Sequence, residues 1–347
     1  MPRLLILHTG GTLMMRPAEG ATLSAAATGA TLAPAATARD LLEELPILAR
    51  IAEIESRVLF DIDSGDMQPT DWITIARAVH DALAHGAWDG VVVVHGTDTM
   101  AYTASALAFL LGPLPRAVVL TGSQRPLFEV RTDARENLVD AALVATMAVP
   151  EVSIAFAARA LRGARATKND AWAFNAFDSP NCAPLVELGV GVEIASHVRA
   201  TAQLAPLDDR IDSRVLAVRV VPGMHPNLLK GALRAGVRGL VLMTYGTGNL
   251  PHLAGSLIPA LEEARERGVP VLVVSQCPRG FVEMRRYAGG AQAEAAGAIS
   301  GGDMTAEAAM AKLMIGLGRF GPGAELRAYL EEDTVGERTV AHAPVDA

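Results

Sequence analysis

Apolar residues in this chain arrive in short runs, such as residues 91–94 and 271–274, each ended by glycine or a polar residue and followed by segments with helical spacing. A strand that is apolar on both faces needs cover on both faces, so the pattern specifies parallel strands joined by crossover helices. The strand candidates are residues 3–7, 57–62, 91–94, 117–120 and 152–156. Helical spacing covers residues 70–83, 99–111 and 132–148, each opening near a Thr or Asp able to cap free amide groups. The predicted fold is α/β: a larger N-terminal domain with a doubly wound, mostly parallel sheet, and a smaller C-terminal α/β domain. At 347 residues the chain exceeds what one core usually organises.

The division falls where the texture turns polar. Residues 1–198 form the expected N-terminal catalytic domain, 199–213 a linker containing Pro206, and 214–347 the C-terminal domain. In the latter, apolar periodicity resumes over 215–221, strands are expected at 239–243 and 269–274, and helices at 227–235, 256–267 and 305–317. The Ala/Thr-rich residues 21–38 lack a clear period and read as a mobile loop followed by a helix.

Composition narrows the functions. Half of the residues are hydrophobic (50%), yet no segment approaches the roughly 18 to 20 apolar residues of a membrane helix. The opening run ending at Leu7 is too short for a signal-peptide core and reads as the first buried strand of a cytoplasmic protein. Cys182 and Cys277 alone exclude a disulfide framework and a cysteine-rich metal site, and are expected to be buried thiols in a reducing compartment. The net charge of −8 with no basic run lacks the footprint of a nucleic-acid binder. Small-molecule chemistry remains.

Ligands of open parallel sheets bind beyond the carboxyl ends of the strands. Four candidate strands end in polar, Gly-rich loops there: His8-Thr9-Gly10-Gly11-Thr12, Asp63-Ser64-Gly65-Asp66, His95-Gly96-Thr97-Asp98-Thr99 and Thr121-Gly122-Ser123-Gln124-Arg125-Pro126. Each Thr-bearing loop has a plain alternative as a turn or helix cap. Neither the dinucleotide fingerprint nor a P-loop is present. A threonine nucleophile needs a base that is neutral near pH 7, a task open to a desolvated lysine and closed to arginine. Of 30 basic residues only Lys168, Lys230 and Lys312 are lysines. Lys168, in Arg165-Ala166-Thr167-Lys168-Asn169-Asp170, is therefore the candidate activator, and Asp98 either orients it or binds a substrate ammonium.

These motifs resemble the bacterial-type L-asparaginases, cytoplasmic (type I) branch. The resemblance rests on Thr9–Thr12, His95–Thr99 and Arg162–Lys168, with Ala176-Phe-Asp-Ser-Pro-Asn181, Thr121–Pro126 and Asp133-Ala-Arg-Glu-Asn137. In the second half it adds Tyr245-Gly-Thr-Gly-Asn249 and Gly302-Asp-Met-Thr-Ala-Glu-Ala-Ala309, and so spans nearly the whole chain. It implies hydrolysis of L-asparagine through a β-aspartyl ester on Thr12, with Thr97, Asp98 and Lys168 supporting proton transfer. The implied substrate-binding set is Gly11, Asp63, Ser64, Gly96, Thr97, Asp98 and Asn249, the last completing the site of a neighbouring subunit in a homodimer or homotetramer. No metal or cofactor is implied.

Two positions depart from the family pattern. The loop 14–34 lacks the usual tyrosine near the nucleophile, leaving Thr22, Ser24, Thr28, Thr31 or water to replace it, and Gly65 stands where relatives often carry a longer polar side chain. Two rivals stay open: the ammonia-producing subunit of a tRNA-dependent amidotransferase, which carries an additional N-terminal domain, and a catalytically weak amino-acid-binding protein.

Overall fold

A computed structural model describes residues 1–11, 13, 15–17, 32–34 and 44–339. Its contacts divide the chain into two units, Met1–Leu207 and Asp208–Ala347.

In the first unit, strands β1 (Arg3–Gly10), β4 (Glu53–Ile62), β5 (Gly90–Val94), β6 (Ala117–Thr121) and β7 (Val152–Phe156) pair in parallel in the order 4-1-5-6-7. Strands β2 (Met15–Pro17) and β3 (Leu32–Pro34) form a separate antiparallel pair. Every residue of β5, β6 and β7 is buried, as two covered faces require. β4 lies at the edge, alternates in exposure and begins four residues before the expected Arg57. The sheet's strand order reverses at β1, which places its switch point between the ends of β1 and β5.

The helices confirm their spacing but not all of their caps. Pro69–Ala84 (α1) starts with a capping box between Gln68 and Asp71, not at Thr70. Met100–Leu111 (α2) is buried on nearly all sides, and Thr99 at its cap position makes no side-chain cap bond. Ala134–Ala145 (α3) likewise receives no cap from Asp133. Both side chains are turned to neighbouring loops instead.

Beyond β7 the sheet continues antiparallel through β8 (Arg159–Arg162), β11 (Val186–Leu188) and β12 (Val192–Ile194), strands that the hydrophobic pattern does not reveal. Ala157 and Ala158 turn β7 into β8 with φ of 50° and 59°. Such turns normally announce themselves with Asn-Gly or Asp-Gly, and two alanines give no such signal. Left-handed alanines cost about 1 kcal/mol or more each; Asn137 Oδ1 accepts the Ala157 N–H at 3.0 Å and helps to hold the turn. The short pair β9 (Thr167–Lys168) and β10 (Phe177–Asp178) stands outside this sheet, with Phe177 packed edge-on against Phe156 at 5.0 Å.

The second unit holds a four-stranded parallel sheet, β13 (Val215–Arg219), β14 (Gly239–Thr244), β15 (Val271–Ser275) and β16 (Ile299–Ser300). Helices α4 (Pro226–Arg234), α5 (Ile258–Glu266) and α7 (Ala306–Phe320) occupy the anticipated segments, and α6 (Ala288–Ala295) and α8 (Ala324–Glu331) add to them. Thr305 caps α7 by accepting the Ala308 N–H. Lys312, on α7, forms a wholly buried ion pair with Glu337.

Two expectations need correction. Cys182 is only partly buried and Cys277 is exposed, because each lies in a loop: Cys277 follows β15 and anchors its amide on Ser275 Oγ. Within residues 21–38, Leu32–Pro34 are strand rather than loop or helix; the remainder lies outside the described residues. Among the described residues no helix is long and apolar enough to cross a membrane.

Candidate active site

Three of the four polar loops meet at backbone contact. Gly10 and Gly11 take φ of 102° and 90°, and a Cβ on Gly11 would stand 2.4 Å from the Gly96 nitrogen. A Cβ on Gly96 would in turn lie 2.5 Å from Ser64 Oγ. Only glycine permits this approach at both positions. Ser64 opens a short 3₁₀ turn in which Asp63 Oδ1 accepts the Gly65 N–H at 2.8 Å. The Asp98 N–H donates to Ser64 Oγ at 3.3 Å and Thr99 Oγ1 donates to the Ser64 carbonyl at 2.7 Å. This is where the hydroxyl expected to cap α2 is employed. Thr12 lies outside the described residues; its neighbour Gly11 is packed as above, and the Leu13 carbonyl accepts the Leu127 N–H.

Lys168 is delivered to the same place by the β9–β10 pair. Its Nζ donates to Thr97 Oγ1 at 2.8 Å and to Asp98 Oδ1 at 2.6 Å. The Lys168 side chain is 18% exposed and that of Asp98 69%, so the carboxylate keeps an open face while one oxygen holds Lys168 Nζ. The two roles considered for Asp98 are thus compatible. Asn249 belongs to the second unit, where its Oδ1 accepts the Leu250 N–H at 3.0 Å beside the Tyr245–Asn249 bridge.

His95, directly before Gly96, is fully buried. Its Nδ1 donates to the Gly96 carbonyl at 2.6 Å, which leaves Nε2 to accept from Thr103 Oγ1 at 2.8 Å. Burial drives its pKa down to about 4, against a smaller opposing contribution from the Gly96 bond. His95 is therefore a neutral structural group near pH 7 and holds the loop rather than transferring protons.

Two further residues of the site, Gln124 and Asp133, carry no role that the sequence alone assigns. Thr97 Oγ1 donates to Gln124 Oε1 at 3.2 Å. Asp133, buried, accepts the backbone N–H groups of Gln124 and Arg125 and the Asn137 side-chain amide, all within 3.1 Å. The available signal was position: Gln124 follows β6 at the same carboxyl edge as the other loops. Among the described residues no cluster of His, Cys, Asp or Glu has the arrangement to hold a metal ion.

A family model for the N-terminal asparaginase domain matches residues 3–200, and one for the glutaminase/asparaginase C-terminal domain matches residues 214–330. The chain belongs to the asparaginase family. Its asparaginase relatives include an L-asparaginase of Thermococcus kodakarensis, 37% identical over 340 residues, covering 97% of this chain and 99% of that one. The solved structure of a thermostable L-asparaginase from T. kodakarensis superposes with a TM-score of 0.87 at 36% identity, over 98% of this chain and 100% of that one. L-asparaginase I of Vibrio cholerae gives 0.85 at 34% identity, over 98% and 99%. The family also reaches a glutamyl-tRNA(Gln) amidotransferase component of Methanothermobacter thermautotrophicus, 36% identical over 97% of this chain and 77% of that one.

Proposed function

We propose that this chain hydrolyses L-asparagine to L-aspartate and ammonia through a β-aspartyl ester on Thr12. The observation that carries the reading is Lys168 Nζ bonded to both Thr97 and Asp98 at the packed loop ends. In this scheme Thr12 Oγ attacks the side-chain carboxamide carbon while its proton passes to Lys168 acting as the free amine beside Thr97, and the ammonium so formed returns that proton to the departing nitrogen. The C–N bond breaks as the nitrogen leaves protonated as ammonia, and water then cleaves the ester to release aspartate. The Thr97 backbone N–H stabilises the tetrahedral oxyanion, worth on the order of 3 kcal/mol per donor. Ser64 takes the α-carboxylate with Gly11, Asp63 and Gly96 around it, and the open face of Asp98 takes the α-ammonium.

We further propose a cytoplasmic homodimer or homotetramer in which Asn249 completes the site of a neighbouring subunit. The two free cysteines fit a reducing compartment. The resemblance to an amidotransferase component offers the same ammonia chemistry for a tRNA-bound partner; the charge of −8 without a basic run favours a free amino acid. Ammonia release from asparagine, glutamine and their D-forms, repeated with Thr12→Ala and Thr97→Val, tests the reading. Folded variants that lose turnover support it, and unchanged turnover in either removes that residue from the mechanism.

A further inference from the structure

We infer that Gln124 is a positioning residue that fixes the direction of the Thr97 hydroxyl, an inference that rests on the reading of Thr97 and Lys168 as catalytic. The direction follows from hydrogen-bond chemistry. Gln124 Nε2 lies 3.2 Å from the Ala173 carbonyl oxygen, which only accepts, so the NH₂ group faces Ala173 and Oε1 faces Thr97. An amide oxygen also only accepts, so the proton on this bond belongs to Thr97. Lys168 Nζ, donating at 2.8 Å, occupies a lone pair of the same hydroxyl. The chain runs one way: Lys168 donates to Thr97, Thr97 to Gln124, and Gln124 to Ala173. With its own proton tied to Gln124, Thr97 offers the pocket a lone pair and not a hydrogen, the state that orients an attacking hydroxyl by accepting its hydrogen bond.

The amide is held for this task. Both Asp133 carboxylate oxygens accept the Gln124 N–H, at 3.1 and 3.0 Å, and Asp133 is itself buried and bonded to Asn137. Asn137 Nδ2 also donates to the Gly122 carbonyl at 3.0 Å, clamping the loop two residues before Gln124. A residue whose backbone is anchored by a buried carboxylate presents its side chain with little freedom.

The test compares kcat and KM for ammonia release from L-asparagine across pH in Gln124→Met, Gln124→Glu and Lys168→Met. Gln124→Met keeps the bulk and removes the acceptor; kcat falls about tenfold to hundredfold, as for misdirected catalytic groups, while KM stays close to wild type. In Gln124→Glu the introduced carboxyl, when protonated, copies the amide, with its O–H on Ala173 and its carbonyl oxygen on Thr97. Once ionised, it sets an oxygen against the Ala173 carbonyl. The Gln124→Glu kcat profile therefore gains an ionisation absent from wild type, with activity lost as pH rises through it. Wild-type kcat in Gln124→Met, or a Gln124→Glu profile without the added ionisation, overturns the inference. If Gln124→Met does not fold, the Gln124→Glu profile decides alone. Lys168→Met with full turnover refutes the underlying catalytic reading; Lys168→Met inactive beside a fully active Gln124→Met refutes only the role of Gln124.

Discussion

Lys168 Nζ lies 2.8 Å from Thr97 Oγ1 although 71 positions separate them in the chain. Arginine is the default cation here, and its guanidinium cannot lose a proton in the working pH range. Lys168→Arg keeps the charge and the reach toward Asp98 but removes the exchangeable proton. It is expected to lower kcat by about 10²- to 10⁴-fold, the span of general acid–base contributions, with no rescue at higher pH. Steady-state ammonia release measures this, and an active Lys168→Arg enzyme would show that the lysine only supplies charge.

The juxtaposition was legible in part. The loop ends of β1, β4, β5 and β6 announce themselves because buried parallel strands must stop at polar, Gly-rich turns, and the scarcity of lysine singled out Lys168. Gln124 escaped because one neutral amide in a loop carries no pattern until its partners are placed. At the start of α3 it is Thr132 Oγ1 that accepts the Ala134 N–H, while the Asp133 carboxylate, which a sequence cannot tell from a cap, is committed to the Gln124 and Arg125 amides. The antiparallel extension through β8, β11 and β12 was hidden by a left-handed Ala-Ala turn with no turn residue to mark it.

Two buried histidines make the fold acid-sensitive. Burial lowers the pKa of His8 and of His95 from the ordinary 6.5 to about 4. Between those values the unfolded chain binds protons that the folded chain does not, so stability is full above about pH 6.5 and falls toward pH 4, by about 1.4 kcal/mol per pH unit per histidine. Asp140 acts in the opposite sense: burial, with Glu136 nearby, raises its carboxyl to about 6, so its protonation favours the folded state. Asp140 is only half-buried, which weakens that contribution. Urea unfolding from pH 7 to 4.5 is expected to show stability falling with acid, with a shallower slope in His95→Gln; an unchanged slope would contradict the assignment.

In the second unit, Lys312 and Glu337 pair with no solvent exposure, and the Lys312 ammonium also donates to the Glu332 carbonyl. Burial pushes the Glu337 carboxyl up, and the adjoining Lys312 ammonium more than offsets this, holding it below the usual carboxylate range. Removing one partner strands the other in the core, so Lys312→Met is expected to destabilise by about 3–5 kcal/mol. The double variant Lys312→Met with Glu337→Met should recover much of that loss. Denaturant unfolding of the singles and the double measures the coupling; strictly additive losses would mean that the pair does not act as one.

The proposed acylation of Thr12 is tested most directly by acid-quenching the protein during turnover of L-asparagine and weighing its peptides. An aspartyl adduct is expected on the peptide containing Thr12, absent from Thr12→Ala and strongly reduced in Lys168→Met. Turnover with no adduct on that peptide, or an adduct that persists in Thr12→Ala, would contradict the ester mechanism.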